Sequence, residues 1–316
     1  MNNTKIEKEK DDKDMGLQFA KSNGLLGEIA NFYIPNEQRK SGVCKGATDL
    51  CKKYCYGNSV FSLSENEEDY FQTDRIALEN YEISLTDEFE ELMCELLKTI
   101  RQKIVRIHSI GEFYCYEYFC KWIRIMKRNP EIQFVAYIKA FDILKTHKDL
   151  GKEVPNNFHV VLSIYPDTYD HYSKMGGKEY VEELLRELGD YYHAKRYVVC
   201  SKEYFKQEIN KEETNKFFCN GGTNILLGKP GKKKSENYNE KLEKYEEQRK
   251  KYIDLFDPEK SCAECMKCYS NDIVKEGDTI YALLRATSKL ANLNTFLHDS
   301  NPDEYKELRK MFPDEM

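Results

Sequence analysis

Cys44, Cys51 and Cys55 sit in one stretch, CKGATDLCKKYCYG, and Cys262, Cys265 and Cys268 form a second knot, SCAECMKCYS, more than two hundred residues later. Grouped thiols either cross-link a chain or hold a metal. The N-terminus, MNNTKIEKEKDDKDMG, offers none of the apolar core that a secretory signal needs. This places the protein in the cytoplasm, where thiols stay reduced, so bound metal is the expectation.

The count of sulfurs decides what each knot can do. Three thiolates spaced C-x6-C-x3-C can share one centre, and soft sulfur selects zinc or an iron–sulfur cluster. A structural zinc needs a fourth protein ligand, which His108 could supply. A 4Fe–4S cube on three cysteines instead leaves one iron open to an external ligand. The second knot, C-x2-C-x2-C, has a spacing that ferredoxin-like clusters use and calls for a fourth ligand. Cys219, in FFCNGG, is the first candidate and Cys200 the second. A closed set of Cys219, Cys262, Cys265 and Cys268 would hold a second 4Fe–4S cluster or a structural zinc. Cys94, Cys115 and Cys120 fall among apolar residues of predicted helices and read as core.

Stepping outward from the sulfurs, apolar strands alternate with amphipathic helices. A helix is expected after an N-cap at Thr86, running to Ile100, and others over Tyr114–Arg128, Lys178–Leu188 and Ser235–Phe256. Strands are expected over Lys103–Ser109, Ile132–Ile138, Phe158–Ile164, Tyr197–Cys200 and Thr223–Leu227, with closing helices over Asp278–Leu297 and Asp303–Met311. This alternation predicts an α/β fold with parallel strands, a partial or distorted (β/α) barrel carrying a metal-binding loop near its N-terminus. Residues 1–16 read as a charged tail and 17–316 as a single domain. Its barrel-like core covers about 17–228, and the charged helix, second cysteine cluster and closing helices occupy about 229–316. Such folds collect functional groups at the C-terminal ends of strands, which makes Lys139 and Ser163 catalytic candidates.

Net charge is −6 and there is no globally basic surface, although a local nucleic-acid patch is not excluded. The one basic run, KPGKKK over Lys229–Lys234, reads as a solvated linker. No apolar run is long enough to span a membrane. Phosphate loops, dinucleotide glycine fingerprints, nucleophile elbows and zinc-protease helices are absent, leaving the cysteines as the concentrated chemistry.

The cysteine loop, Tyr56 after its last cysteine, and the Gly111-Glu112 pair ending the next strand together resemble the radical S-adenosylmethionine enzymes. That resemblance implies a 4Fe–4S cluster on Cys44, Cys51 and Cys55, with Tyr56, Gly111 and Glu112 contributing to S-adenosyl-L-methionine binding. The superfamily's usual spacing is C-x3-C-x2-C, shorter than the loop here. A broader likeness is to the phage gene product 88 family. It rests on Cys44 to Tyr56, Arg106 to Phe113, Trp122, the run Phe134 to Lys139 and the late cysteines, in that order, and implies a shared fold. The functional expectation is an iron–sulfur enzyme of radical S-adenosylmethionine type with an unknown substrate and a reductant for its cluster. The alternative is a non-enzymatic, zinc-stabilised phage-type binding or scaffold protein.

Overall fold

Runs of β-branched and aromatic residues form the centre of the computed structural model, because such side chains pack well on a pleated surface buried on both sides. They are Ile104–Ile107 (β2), Gln133–Ile138 (β3), Phe158–Ile164 (β4) and Lys195–Cys200 (β5). Three further strands, Ile29–Asn31 (β1), Lys216–Phe218 (β6) and Thr279–Leu283 (β7), complete a seven-stranded sheet in the order β1-β2-β3-β4-β5-β7-β6. Every adjacent pair is parallel. The structure describes residues 16–20, 28–55, 57–58, 67–173, 176–200, 202–211, 216–220, 227, 229–230, 237–269 and 278–283.

The first five strands lie side by side in chain order. Right-handed crossovers that always step the same way put their helices on one face. Those helices are Phe89–Thr99 (α3), Tyr116–Arg128 (α4), Phe141–Asp149 (α5) and Gly177–Tyr192 (α7). The main core joins them to Val105, Ile107, Phe134, Ala136, Ile138, Val160, Leu162 and Ile164. Strand residues of the other parity, Ile29, Val135, Tyr137, Val161 and Tyr197, face away from these helices. They pack instead against Cys262, Ala263, Cys268 and Tyr269. Among the described residues β1 and β6 are the two edges of the sheet and do not pair with each other.

Several boundaries differ from expectation. Thr86 is not the N-cap of α3. Its hydroxyl donates to the Ile83 carbonyl at 2.9 Å, at the end of an unforeseen helix over Glu67–Ser84 (α2), and Glu88 takes the cap. The helix expected from Asp278 is a strand over Thr279–Leu283, where β-branched and aromatic residues enter the sheet between β5 and β6. The short helix Thr168–Ser173 (α6) and the helices Lys202–Ile209 (α8) and Tyr238–Tyr252 (α9) complete this part of the chain. Asp303–Met311 and residues 223–226 of the expected fifth strand lie outside the described residues.

Candidate functional site

Glu37 shapes the first cysteine loop by accepting the Gly42 N–H at 3.0 Å and the Cys44 N–H at 3.2 Å. Thr48 then caps the one-turn helix Asp49–Lys53 (α1), its Oγ1 accepting from the Cys51 N–H at 3.1 Å. Two contacts dock this turn over the strand ends. The Leu50 N–H donates to Asp167 Oδ2 at 2.8 Å, and the Leu50 side chain packs on Val199 beside Tyr54, Tyr165 and Tyr197. Gly46 takes φ +70°, and a Cβ there would stand 2.0 Å from the Lys139 carbonyl oxygen, so the loop lies hard against the end of β3.

The loop that carries Cys44, Cys51 and Cys55 is therefore docked where β3, β4 and β5 end. Burial drives the Cys44 thiol well above its usual range, and the neighbouring charges of Cys55, Glu112 and Cys51 push it further, against Lys139. Cys51 is raised by burial too, opposed by Lys139 and reinforced by Cys55, Glu112 and Asp167. Burial works against the Lys139 ammonium, yet Cys51, Tyr165, Glu112 and Cys44 outweigh it and hold the lysine charged. Its Nζ stands 5.5 Å over the Tyr165 ring. Asn36 Nδ2 donates to Asn58 Oδ1 at 2.6 Å and lies 3.7 Å from Cys55 Sγ.

Glu112 is 3% exposed, and burial lifts its carboxyl to about 7. Its oxygens accept main-chain bonds, Oε1 from the Phe113 N–H at 2.9 Å and Oε2 from the Lys139 N–H at 2.8 Å. The carboxylate thus fastens two chain segments, with about two of its four acceptor positions left. Gly111 has φ +87°, and a Cβ there would lie 2.3 Å from Ile34 Cγ1. Tyr56 lies outside the described residues.

The late cysteines cover the sheet face that α3, α4, α5 and α7 leave free. A capping box between Ser261 and Glu264 starts the short helix Cys262–Cys265 (α10), and left-handed Met266 turns the chain toward Cys268. Burial raises the Cys268 thiol, and Cys219, Cys265 and Cys262 add to it, while a hydrogen bond from Tyr137 lowers it. Cys219 is joined from the sheet side by the Tyr197 hydroxyl, which donates to its sulfur at 3.4 Å. The Lys267 ammonium binds the carbonyls of Phe218 and Leu255 at 2.8 and 2.9 Å, tying this turn to β6. Cys200 is elsewhere, its thiol 3.5 Å from the Ala282 carbonyl.

None of the eleven cysteines forms a disulfide. Among the described residues, no three or more His, Cys, Asp or Glu side chains are arranged around a single metal ion. His108 does not reach the cysteine loop. It is buried at φ 56°, with its ring against Phe113 and Trp122 and its Nε2 2.9 Å from the Tyr118 hydroxyl. Cys94 is buried, receiving the Asn129 amide at 3.3 Å, and Cys115 caps α4. Ser163 is 4% exposed on the same strand parity as Val161, in register with Tyr197. A cavity of about 910 Å³, lined by His159, Tyr192, Lys195 and Cys268 among others, opens at the opposite end of β4 and β5. Sequence reasoning missed Tyr165 and Asp167. Tyr165 directly follows β4, as Lys139 follows β3, and Asp167 lies two residues further on. No helix among the described residues is long and apolar enough to cross a membrane.

The profile of the family described as Gene product 88 matches residues 1–271. The Gene 88 protein of Mycobacterium phage L5 is 28% identical over 159 residues, covering 47% of this chain and 62% of that protein. The Gene 88 protein of Mycobacterium phage D29 is 25% identical over 167 residues, covering 49% of this chain and 65% of its own. The matched stretch thus spans somewhat under two thirds of each of these curated relatives. No solved structure matches. With the family profile covering most of its length and its cysteine loop docked on a parallel α/β sheet, the chain belongs to the Gene product 88 family.

Proposed function

We propose that this protein is an iron–sulfur enzyme of radical S-adenosylmethionine type, working at the C-terminal edge of a partial barrel. One observation carries the reading: the loop bearing Cys44, Cys51 and Cys55 docks on the end of β3, within electrostatic reach of Lys139 and Glu112. Three soft donors in one loop, with no histidine beside them, suit a 4Fe–4S cluster that keeps one iron for an external ligand. Buried thiols ionise poorly on their own, and metal binding holds them deprotonated. Cys44, Cys51 and Cys55 would hold such a cluster, which, when bound, would supply the electron for reductive cleavage of S-adenosyl-L-methionine and hydrogen abstraction from the substrate, an external reductant restoring that electron.

The chain's own groups bind and orient. Lys139 places a positive charge beside the thiolates and suits a carboxylate of cofactor or substrate. The remaining acceptor positions of Glu112 suit an ammonium, and Gly111 keeps that turn close to Ile34. Ser163 is placed on the sheet face turned toward the second cysteine set. Cys219, Cys262, Cys265 and Cys268 suit a second 4Fe–4S cluster or a structural zinc.

Anaerobic reconstitution with iron and sulfide, metal analysis, and assay of 5′-deoxyadenosine after reduction test the reading together. Iron in the first site with S-adenosyl-L-methionine cleavage supports it. Zinc throughout and no iron would replace it with a zinc-stapled phage-type binding or scaffold protein, which the four thiols of the second set favour.

A further inference from the structure

Asn31 on β1 and Arg106 on β2 are Cα partners in the parallel ladder. Their neighbours Ala30 and Val105 point into the helix-covered core, whereas Ile29 and Ile104 belong to the opposite face. Alternation therefore puts the Asn31 and Arg106 side chains together on the face that also carries Tyr137 and the late cysteines. The Arg106 guanidinium lies 4.7 Å over the Tyr137 ring. Its Nε is buried and has no hydrogen-bond partner, and the guanidinium enters no ion pair among the described residues. Asn31 is 6% exposed, and its Oδ1 is also buried without a partner.

Folded proteins leave few buried polar groups unmatched, and the half-buried Arg106 keeps its Nε out of water with no acceptor beside it. The two vacancies stand at paired ladder positions on one sheet face, an N–H donor on Arg106 and a carbonyl acceptor on Asn31. A guanidinium 4.7 Å over a tyrosine ring still carries the planar fork of N–H groups that receives carboxylate or phosphate oxygens in pairs. The Asn31 amide adds a donor, and its oxygen can accept from a hydroxyl or protonated oxygen of the same guest. We propose that Asn31 and Arg106 form the receptor for an oxyanion, a carboxylate or phosphate, on the molecule this protein acts upon. The proposal deepens the reading given above by naming a substrate class, and rests on that reading only for the guest being a substrate.

Labelling of the full-length chain with phenylglyoxal, read at Arg106 by mass spectrometry, tests it without any loaded metal. The reagent attacks accessible, unpaired guanidinium groups. Inorganic phosphate and citrate serve as the two probes, and either should slow labelling of Arg106 about tenfold at saturation, a change typical of one charged hydrogen-bonded contact. Protection by phosphate alone assigns a phosphate guest, and by citrate alone a carboxylate guest. N31A should weaken the protecting anion about tenfold, and R106K should weaken its calorimetric binding similarly, because a lysine cannot present the paired donors. Labelling at an unchanged rate under both anions, an unreactive Arg106, or equal protection in N31A would overturn the proposal. A zinc-only metal analysis would remove the enzyme reading while leaving this result intact, so the two failures are separable.

Discussion

Glu112 Oε2 accepts the backbone N–H of Lys139 at 2.8 Å, so the turn that follows β2 fastens the end of β3. The same carboxylate holds the Phe113 N–H at 2.9 Å. Replacing it by the isosteric amide in E112Q sets an NH2 group against a main-chain donor in a buried place. Urea unfolding should report a loss of about 1–3 kcal/mol, the cost of leaving a buried donor unsatisfied. A midpoint equal to wild type would show that the carboxylate is not what joins the two strands.

Gly46 offers a steric test of the cysteine loop. A methyl group at this position meets the Lys139 carbonyl at 2.0 Å, and backbone cannot step aside as a flexible side chain can. G46A should lift the loop from β3 and lower the iron retained after reconstitution. Gly151 also has positive φ, at +60°, but its Cβ would enter open space, so G151A controls for backbone strain alone. Equal iron in both variants would count against the docked loop.

His108 should make the fold acid-sensitive. Burial among aromatic rings holds its imidazole down to about 3 from the ordinary 6.5. Between those values the unfolded chain takes a proton that the folded chain refuses, so stability is complete above the ordinary value and falls as pH drops below it. At pH 5 the deficit from this group is about 2 kcal/mol. His159, lowered by burial to about 4, contributes with the same sign, so H108Q should flatten the slope without abolishing it. Superimposable pH profiles for wild type and H108Q would refute the assignment.

Removing single thiols should separate the two cysteine sites. C51S should lose the metal of the first loop and keep that of the second. C268S should do the reverse, and it should also lower the melting temperature, because residues around Cys268 cover one face of the sheet. Metal analysis and thermal unfolding of the two variants check both halves. Loss of all metal from either variant would mean that the six clustered residues and Cys219 do not divide into two centres.

The parallel strands were readable because β3 and β4 are short, largely apolar runs, and Phe158–Ile164 matches its strand residue for residue. Other parts were hidden for physical reasons. β1 and β6 are three residues long, too short for a period to emerge. The α2 helix has a weak apolar stripe, so its sequence gives little sign of a buried side. Thr279–Leu283 is a strand because a slot exists between β5 and β6, which is a tertiary cause that local propensity does not carry. The Arg106–Asn31 pairing depends on register between strands more than seventy positions apart, and no local spacing encodes it.

That slot has a biosynthetic consequence. β6, which leads directly into Cys219, pairs with β7 and has no other strand beside it. Until Thr279–Leu283 has been synthesised, Cys219 lacks the Tyr281 carbonyl that accepts its N–H at 2.7 Å. The strands that the first cysteine loop docks against, β3, β4 and β5, all precede that segment in the chain, so this loop can dock before the late cysteines are in place.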